Sequence, residues 1–257
     1  MNKVLPFLPE RPEKPRDAGL TMVMDKGLSI REAEDFMSVG SEYTDYVKLG
    51  FGTSLITPGF DKKIAIYKKA GVIPYFGGTL FEAFIIRNMF REFVDFLDKH
   101  EIELVEVSDG SYDIEHSRKL EYISRLAEGH TVISEVGSKK KEVVYSPDEW
   151  VSMMKSELIA GSVKVIAEAR ESGTTGIYNE DGSINNKIIC SIAEHVKLEN
   201  VIWEAPLKSQ QAWFIKHFGA NVNLGNIAPA EIIPLESLRL GLRGDTFFQF
   251  LPAEMKQ

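Results

Sequence analysis

The 257-residue chain contains one cysteine, so no internal disulfide can staple it and the fold must rest on packing and polar pairing. That residue, Cys190, falls in the helix-like run from Lys187 to His195 and reads as a helix thiol rather than a nucleophile, consistent with a reducing cytoplasm. Positive charge is also in short supply. Thirty Lys and Arg stand against 38 Asp and Glu, giving a net charge of -8 and a pI near 5.3. This balance excludes the broad basic footprint of a nucleic-acid-binding protein but leaves room for local cationic sites that take small anions. No stretch reaches about 18 uninterrupted apolar residues, and no basic segment leads into a long apolar core at the N-terminus. The expectation is a soluble, unexported protein with no membrane partner. Histidine is sparse as well. His100, His116, His130, His195 and His217 fall in helices or connections, no two at metal-ligand spacing, and each reads as a surface or packing residue.

What is present is a repeated design. Leu104-Val105-Glu106-Val107-Ser108-Asp109-Gly110-Ser111 begins like a buried strand, yet sets Glu106 among valines and ends in a small polar cluster. A lone buried carboxylate is costly, so it should be paired, metal-bound or at a wet strand end. The same pattern recurs at Thr131 to Gly137 with Glu135, at Val163 to Arg170 with Glu168, and at Val201 to Pro206 with Glu204. Four apolar runs that each carry a glutamate near the end, separated by helical patterns, predict parallel strands whose carboxyl ends share a charged mouth.

Four further strands complete the series: Leu20 to Asp25, Tyr46 to Thr53, Gly71 to Thr79 and Asn221 to Ile227. Helical segments fall between them, the first capped by Ser29 with Glu32 at the third helical position and one running from about Leu80 to His100. Eight strand-helix units in a chain of this length predict a single-domain α/β fold, the (β/α)8 TIM barrel, over residues 17–257. A doubly wound open sheet is the alternative. Residues 1–16 carry Pro6, Pro9, Pro12 and Pro15 and read as an extended N-terminal arm. Two long connections, 138–146 and 173–182, are lid candidates, the second with less reach.

Alternate residues of a barrel strand enter the barrel, so the charged side chains near the strand ends can converge. Clustered carboxylates need a cation between them, and an oxygen-only donor set favours Mg²⁺. Lys48 interrupts an apolar strand and therefore needs an anionic partner. Arg170 suits ion pairing and substrate binding about equally. Ser209 after the seventh strand and Gly225-Asn226 after the eighth offer backbone donors where such barrels often hold phosphate. Arg243, set between glycines, suits either a phosphate clamp or a salt bridge with Asp245.

Six ordered blocks carry a resemblance: Tyr75 to Glu82, Val105 to Ser111, Ser134 to Gly137, Glu204-Ala205-Pro206 with Lys208 to Gln211, Asn223 to Ile227, and Gly241 to Phe247. Together they resemble the phosphosulfolactate synthase family from about Arg16 to Phe248. The resemblance implies a TIM-barrel lyase that uses Mg²⁺ to add sulfite to phosphoenolpyruvate, giving (2R)-O-phospho-3-sulfolactate for coenzyme M biosynthesis. It implies a metal held among Glu106, Asp109, Glu135 and Glu168, and substrate contacts from Lys48 and Arg170 to sulfite and carboxylate. Gln210, Asn226 and Arg243 would hold the phosphate. Glu135 and Lys139 form the implied catalytic pair, with Lys139, of the pattern Glu-Val-Gly-x-Lys, as proton donor; spacing does not separate it from Lys140 or Lys141. A phosphoenolpyruvate-using barrel with another nucleophile and a non-catalytic stress or interaction protein are the competing readings, and a homo-oligomer is compatible with all three.

Overall fold

The computed structural model describes residues 5–137, 145–170 and 172–256. Among them, eight parallel strands close into a barrel in chain order, β1 Thr21–Asp25, β2 Tyr46–Leu49, β3 Ile73–Phe76, β4 Leu104–Val107, β5 Thr131–Val136, β6 Ser162–Ala167, β7 Val201–Glu204 and β8 Leu224–Ile227. The closing pair is β1 with β8. Helices cover the outside: α1 Ile30–Gly40, α2 Phe60–Lys69, α3 Gly78–Ile85, α4 Phe90–Lys99, α5 His116–Ala127, α6 Pro147–Ala160, α7 Asn186–His195, α8 Lys208–Phe218 and α9 Ile232–Arg239. This is the (β/α)8 barrel that the strand-helix count predicts. Ser29 and Glu32 form the expected reciprocal capping box at the start of α1.

Three boundaries differ from the sequence reading, each for a local reason. The segment from Leu80 to His100 is two helices, because Asn88 adopts the left-handed region at φ 57° and the Met89 N–H turns back to the Phe84 carbonyl at 3.0 Å. Strand β2 stops at Leu49, where Phe51 and Gly52 take positive φ inside a short 3₁₀ segment, Gly50–Leu55. Strand β8 begins three residues late, since the side chains of Asn221 and Asn223 are engaged below it, with Asn223 Oδ1 accepting the Leu20 N–H at 2.9 Å.

The barrel has two apolar layers and one ionic one. Between sheet and helices lies the main core, which includes Phe76, Phe81, Phe93, Trp150, Trp203 and Phe214. Inside the barrel Met22, Tyr75, Leu104, Ile133, Ile166 and Ile202 form a separate plug. One step further along the strands the interior becomes charged, with Lys48, Glu106, Glu135, Glu168 and Glu204 all buried. The plug therefore forms a dry floor, and the strand-end residues stand on it.

At the opposite end residues 5–16 cross the openings of several strands. Arg11 Nε meets Glu236 Oε1 at 2.9 Å, Arg16 Nε meets Asp45 Oδ1 at 2.9 Å, and Lys14 donates to the Thr44 carbonyl at 2.6 Å. Arg239, fully buried, donates to the carbonyls of Ala220 at 2.6 Å and Val222 at 2.7 Å, satisfying chain entering β8.

Candidate active site at the carboxyl ends of the strands

Lys48 is the centre of the mouth. Its ammonium lies 2.8 Å from Glu106 Oε1, 3.0 Å from Glu135 Oε2 and 3.8 Å from Glu204 Oε1, joining β2 to β4, β5 and β7 across the barrel axis. Glu106 is further fixed by the Gly78 N–H at 2.6 Å and the Tyr75 hydroxyl at 3.0 Å. Glu204 Oε2 accepts the Ala169 N–H at 2.8 Å. Three carboxylates around one ammonium leave two surplus negative charges when all are ionised. Burial works to lower the Lys48 pKa, but Glu106 and Glu135 beside it prevail and hold it well above the ordinary lysine range. Burial raises the Glu106 carboxyl, and the charge on Glu135 adds to this against the opposing pull of Lys48. The cluster thus combines a permanently charged lysine with a Glu106 carboxyl that takes up a proton more readily than usual.

A cleft opens above it, lined by Met24, Lys48, Phe51, Thr79, Glu135 and Asn226, among others. Phe51 sits at its rim with φ 55°, and Asn226 at the end of β8 with φ 57°. Side chains seldom hold such backbone angles without a surrounding structure that imposes them, and such positions concentrate at ligand sites.

The structure brings together some of the residues singled out from sequence and separates others. Lys48, Glu106, Glu135 and Asn226 share the mouth. Glu168 is buried at the end of β6, close enough to Gly137 that a Cβ added there would stand 3.0 Å from its Oε2. Arg170 begins the turn after β6, its N–H donating to the Thr174 carbonyl at 3.1 Å. Asp109 departs from the expected metal set: Oδ1 is 2.8 Å from the ammonium of Lys119, on the helix side of the sheet. Gln210 departs from the expected phosphate set, because its Oε1 accepts the Leu207 N–H at 3.1 Å and its Nε2 donates to the carbonyls of Gly173 at 2.8 Å and Gly182 at 3.3 Å. That amide holds down the connection after β6, which is pinned again by Ile177 N–H to the Glu168 carbonyl at 3.1 Å and by Tyr178 hydroxyl to the Glu204 carbonyl at 2.6 Å. The lid expectation for 173–182 gives way to a packed cover. Arg243 follows α9 in a segment tied to α8 and α9, with Nε 4.0 Å from Asp245 Oδ2, an oxygen that Lys208 meets at 3.1 Å. Lys139, its neighbours Lys140 and Lys141, and most of the first lid candidate lie outside the described residues.

Some members of the site carried little sequence signal. Glu204 shares the strand-end pattern of the other glutamates, but the resemblance gives it no role. Tyr75 looks like an ordinary strand aromatic. Glu82, on α3, accepts from Ser108 Oγ and from the N–H groups of Ser111 at 2.8 Å and Tyr112 at 2.7 Å, and so shapes the turn after β4. Among the described residues no three His, Cys, Asp or Glu side chains are gathered as a preformed metal site.

Fold and site define a class: a (β/α)8 enzyme whose strand-end acids and buried lysine face a small, polar mouth. The family model described as (2R)-phospho-3-sulfolactate synthase (ComA) matches residues 9–245. The phosphosulfolactate synthase of Bacillus subtilis (strain 168) is 39% identical over 251 residues, covering 96% of this chain and 100% of the relative. That of Methanocaldococcus jannaschii is 43% identical over 235 residues, covering 89% and 94%. Among solved structures, 3-hexulose-6-phosphate synthase from Salmonella typhimurium superposes with a TM-score of 0.55 at 15% identity, covering 87% of this chain and 100% of that one, a likeness of fold alone. The chain belongs to the phosphosulfolactate synthase family.

Proposed function

We propose that this enzyme adds sulfite to phosphoenolpyruvate to give (2R)-O-phospho-3-sulfolactate, with Mg²⁺ as cofactor. The observation that carries the reading is the Lys48 ammonium, held at the centre of the mouth by carboxylates from three other strands. Both substrates are anions. They repel each other and would be repelled by the surplus acid of the cluster, so the site needs further positive charge before both can enter. Mg²⁺ suits a hard-oxygen donor set with excess negative charge. Glu106 accepts from Lys48, Gly78 and Tyr75, and Asp109 is turned toward Lys119; Glu135 and Glu168, oxygen donors at the ends of neighbouring strands, would hold the ion in exchange for part of their present contacts. When bound, Mg²⁺ supplies Lewis-acid stabilisation of charge on the substrate carboxylate.

In the reaction the sulfite sulfur lone pair forms a C–S bond to the methylene carbon, and the π electrons move toward the phosphate-bearing carbon and its carboxylate. A proton delivered to the phosphate-bearing carbon completes the addition, and nothing leaves. Lys48 draws an anion to the floor of the mouth and keeps its charge throughout the ordinary pH range. Arg170 serves the second anion from the β6 end, and Asn226 contacts the phosphate from β8. Lys139 is assigned the proton transfer, a role in which a lysine works best when neighbouring cations bring its pKa down. The substrates and the single thiol suit a cytoplasmic setting; among the described residues no helix is long and apolar enough to cross a membrane.

The test is incubation with phosphoenolpyruvate, sulfite and Mg²⁺, followed by phosphorus NMR. A new phosphate-ester resonance that requires both sulfite and Mg²⁺, and disappears on chelation, is the expected result. Consumption of phosphoenolpyruvate without regard to sulfite, or no consumption across pH 6–9, would overturn the assignment.

A further inference from the structure

A second buried lysine stands behind the same strand ends. Lys119, on α5, is 1% exposed and lies outside the barrel, where no substrate in the mouth can touch it. Its ammonium has three N–H bonds to place and three acceptors within reach: Asp109 Oδ1 at 2.8 Å, Glu157 Oε1 at 2.8 Å and the backbone carbonyl of Glu135 at 2.6 Å. Those acceptors belong to different elements. Asp109 is in the turn that follows β4 and Glu106, Glu157 is on α6, and the carbonyl is that of the residue whose side chain meets Lys48 inside the barrel.

The ends of β4 and β5 are therefore bridged twice, once from within through the Glu106 and Glu135 carboxylates on Lys48 and once from behind through Asp109 Oδ1 and the Glu135 carbonyl on Lys119. Lys48 supplies the inner tie and Lys119 the outer one. Burial alone would lower the Lys119 pKa, but Glu157 and Asp109 raise it above the ordinary lysine value, so Lys119 keeps its charge at any working pH. Glu82 braces the same turn from the other side through the N–H groups of Ser111 and Tyr112. With its front and back both fixed, the β5 end can hold the Glu135 carboxylate in place while the mouth exchanges substrate.

We propose that Lys119 is a positioning residue for the reaction, setting the β4 and β5 ends in register so that Glu106 and Glu135 face Lys48 and the substrate correctly. The proposal rests on the sulfite-addition reading for its kinetic consequence, but the placement of the strand end can be measured without turnover. Displacing a catalytic group by about 1 Å commonly lowers the rate about 100-fold while contacts that bind substrate survive.

The test uses the full chain with Lys119→Met, Asp109→Asn and Glu157→Gln combined, which removes the tie without leaving a buried charge unpaired. The expected result has two parts. Amide exchange at Val136 and Gly137 quickens at least 10-fold while the β1 and β8 amides keep their rates, and kcat falls about 100-fold with KM for phosphoenolpyruvate within about 3-fold of wild type. Unchanged exchange at the β5 end, or kcat within about 3-fold of wild type in a folded variant, overturns the proposal. Faster exchange at every strand alike also overturns it, since Lys119 would then be a general stabiliser. If the triple variant does not fold, Asp109→Asn alone decides: a fall in kcat of about 5-fold or more at constant KM supports positioning, and no change refutes it. Should the wild type make no sulfite-dependent product, the exchange measurement still judges the placement while the sulfite-addition reading fails by itself.

Discussion

Replacing Lys48 with Met tests the electrostatics of the mouth directly. The substitution keeps most of the side-chain volume and removes the cation that Glu106, Glu135 and Glu204 share. At 2.8 Å and an effective dielectric constant near 20, the contact with Glu106 is worth about 6 kcal/mol before desolvation is subtracted. Removing one partner of a buried ion pair usually costs about 3–5 kcal/mol net, and that is the expected loss at pH 7. The sign of the pH dependence follows from linkage. In the wild type Lys48 has a raised folded pKa, so its stabilisation is complete below about pH 10.5 and declines as pH rises through the folded value. Burial already raises the Glu106 carboxyl in the wild type, and the variant removes the cation that opposes that rise, so its folded state binds an extra proton as pH falls. That proton recovers at most about 1.4 kcal/mol per pH unit, or at most about 2.7 kcal/mol between pH 7 and pH 5. Urea unfolding followed by tryptophan fluorescence, with Trp150 and Trp203 buried in the native state, reports both quantities. A penalty under about 1 kcal/mol at pH 7, or one that does not shrink by pH 5, would refute the shared-cation account.

Three other outcomes follow from the same contacts. Gly225→Ala should cost about 1–3 kcal/mol in urea unfolding, because the added Cβ would stand 2.7 Å from Met22 Cε and 2.9 Å from Ile202 Cγ2 in the barrel plug. Glu82→Gln should lower stability by about 1–3 kcal/mol, measured by thermal unfolding, since the N–H groups of Ser111 and Tyr112 would lose a charged acceptor and the Ser108 hydroxyl would have to turn from donor to acceptor of the amide NH₂. Tyr67→Phe removes the 2.7 Å bond to Asp25 but leaves that carboxylate with Lys63 and two N–H donors. A loss of only about 0.5–1.5 kcal/mol is expected in the same assay, and a larger one would mean that the hydroxyl, not Lys63, holds the β1 end.

The order of elements was legible in the chain because local rules govern it. Apolar runs of strand length alternate with helical periodicity, and the Ser29–Glu32 cap depends on neighbours three residues apart. Placement of glutamates near strand ends was legible too, since strand periodicity and the cost of burying an unpaired charge point the same way. Lys48 called for an anionic partner on the same ground and has three within 4.0 Å.

Partner choice was not legible. Asp109 belongs to the same polar cluster as Glu106, yet a turn braced by Glu82 directs it to Lys119, and no spacing rule tells an inward carboxylate from an outward one once the strand has ended. Gln210 stands where a phosphate ligand could, but carbonyls 37 and 28 residues away claim its amide. Lys119 resembles any helix lysine until the barrel closes and buries it against Asp109 and Glu157. Sequence alone determined the eightfold strand-helix order and the acidic strand ends, because both arise from contacts and costs within a few residues. Which of those acids surround a lysine, and from which side of the sheet, was decided only by tertiary structure, because closing the barrel sets the distances between charges that are far apart along the chain.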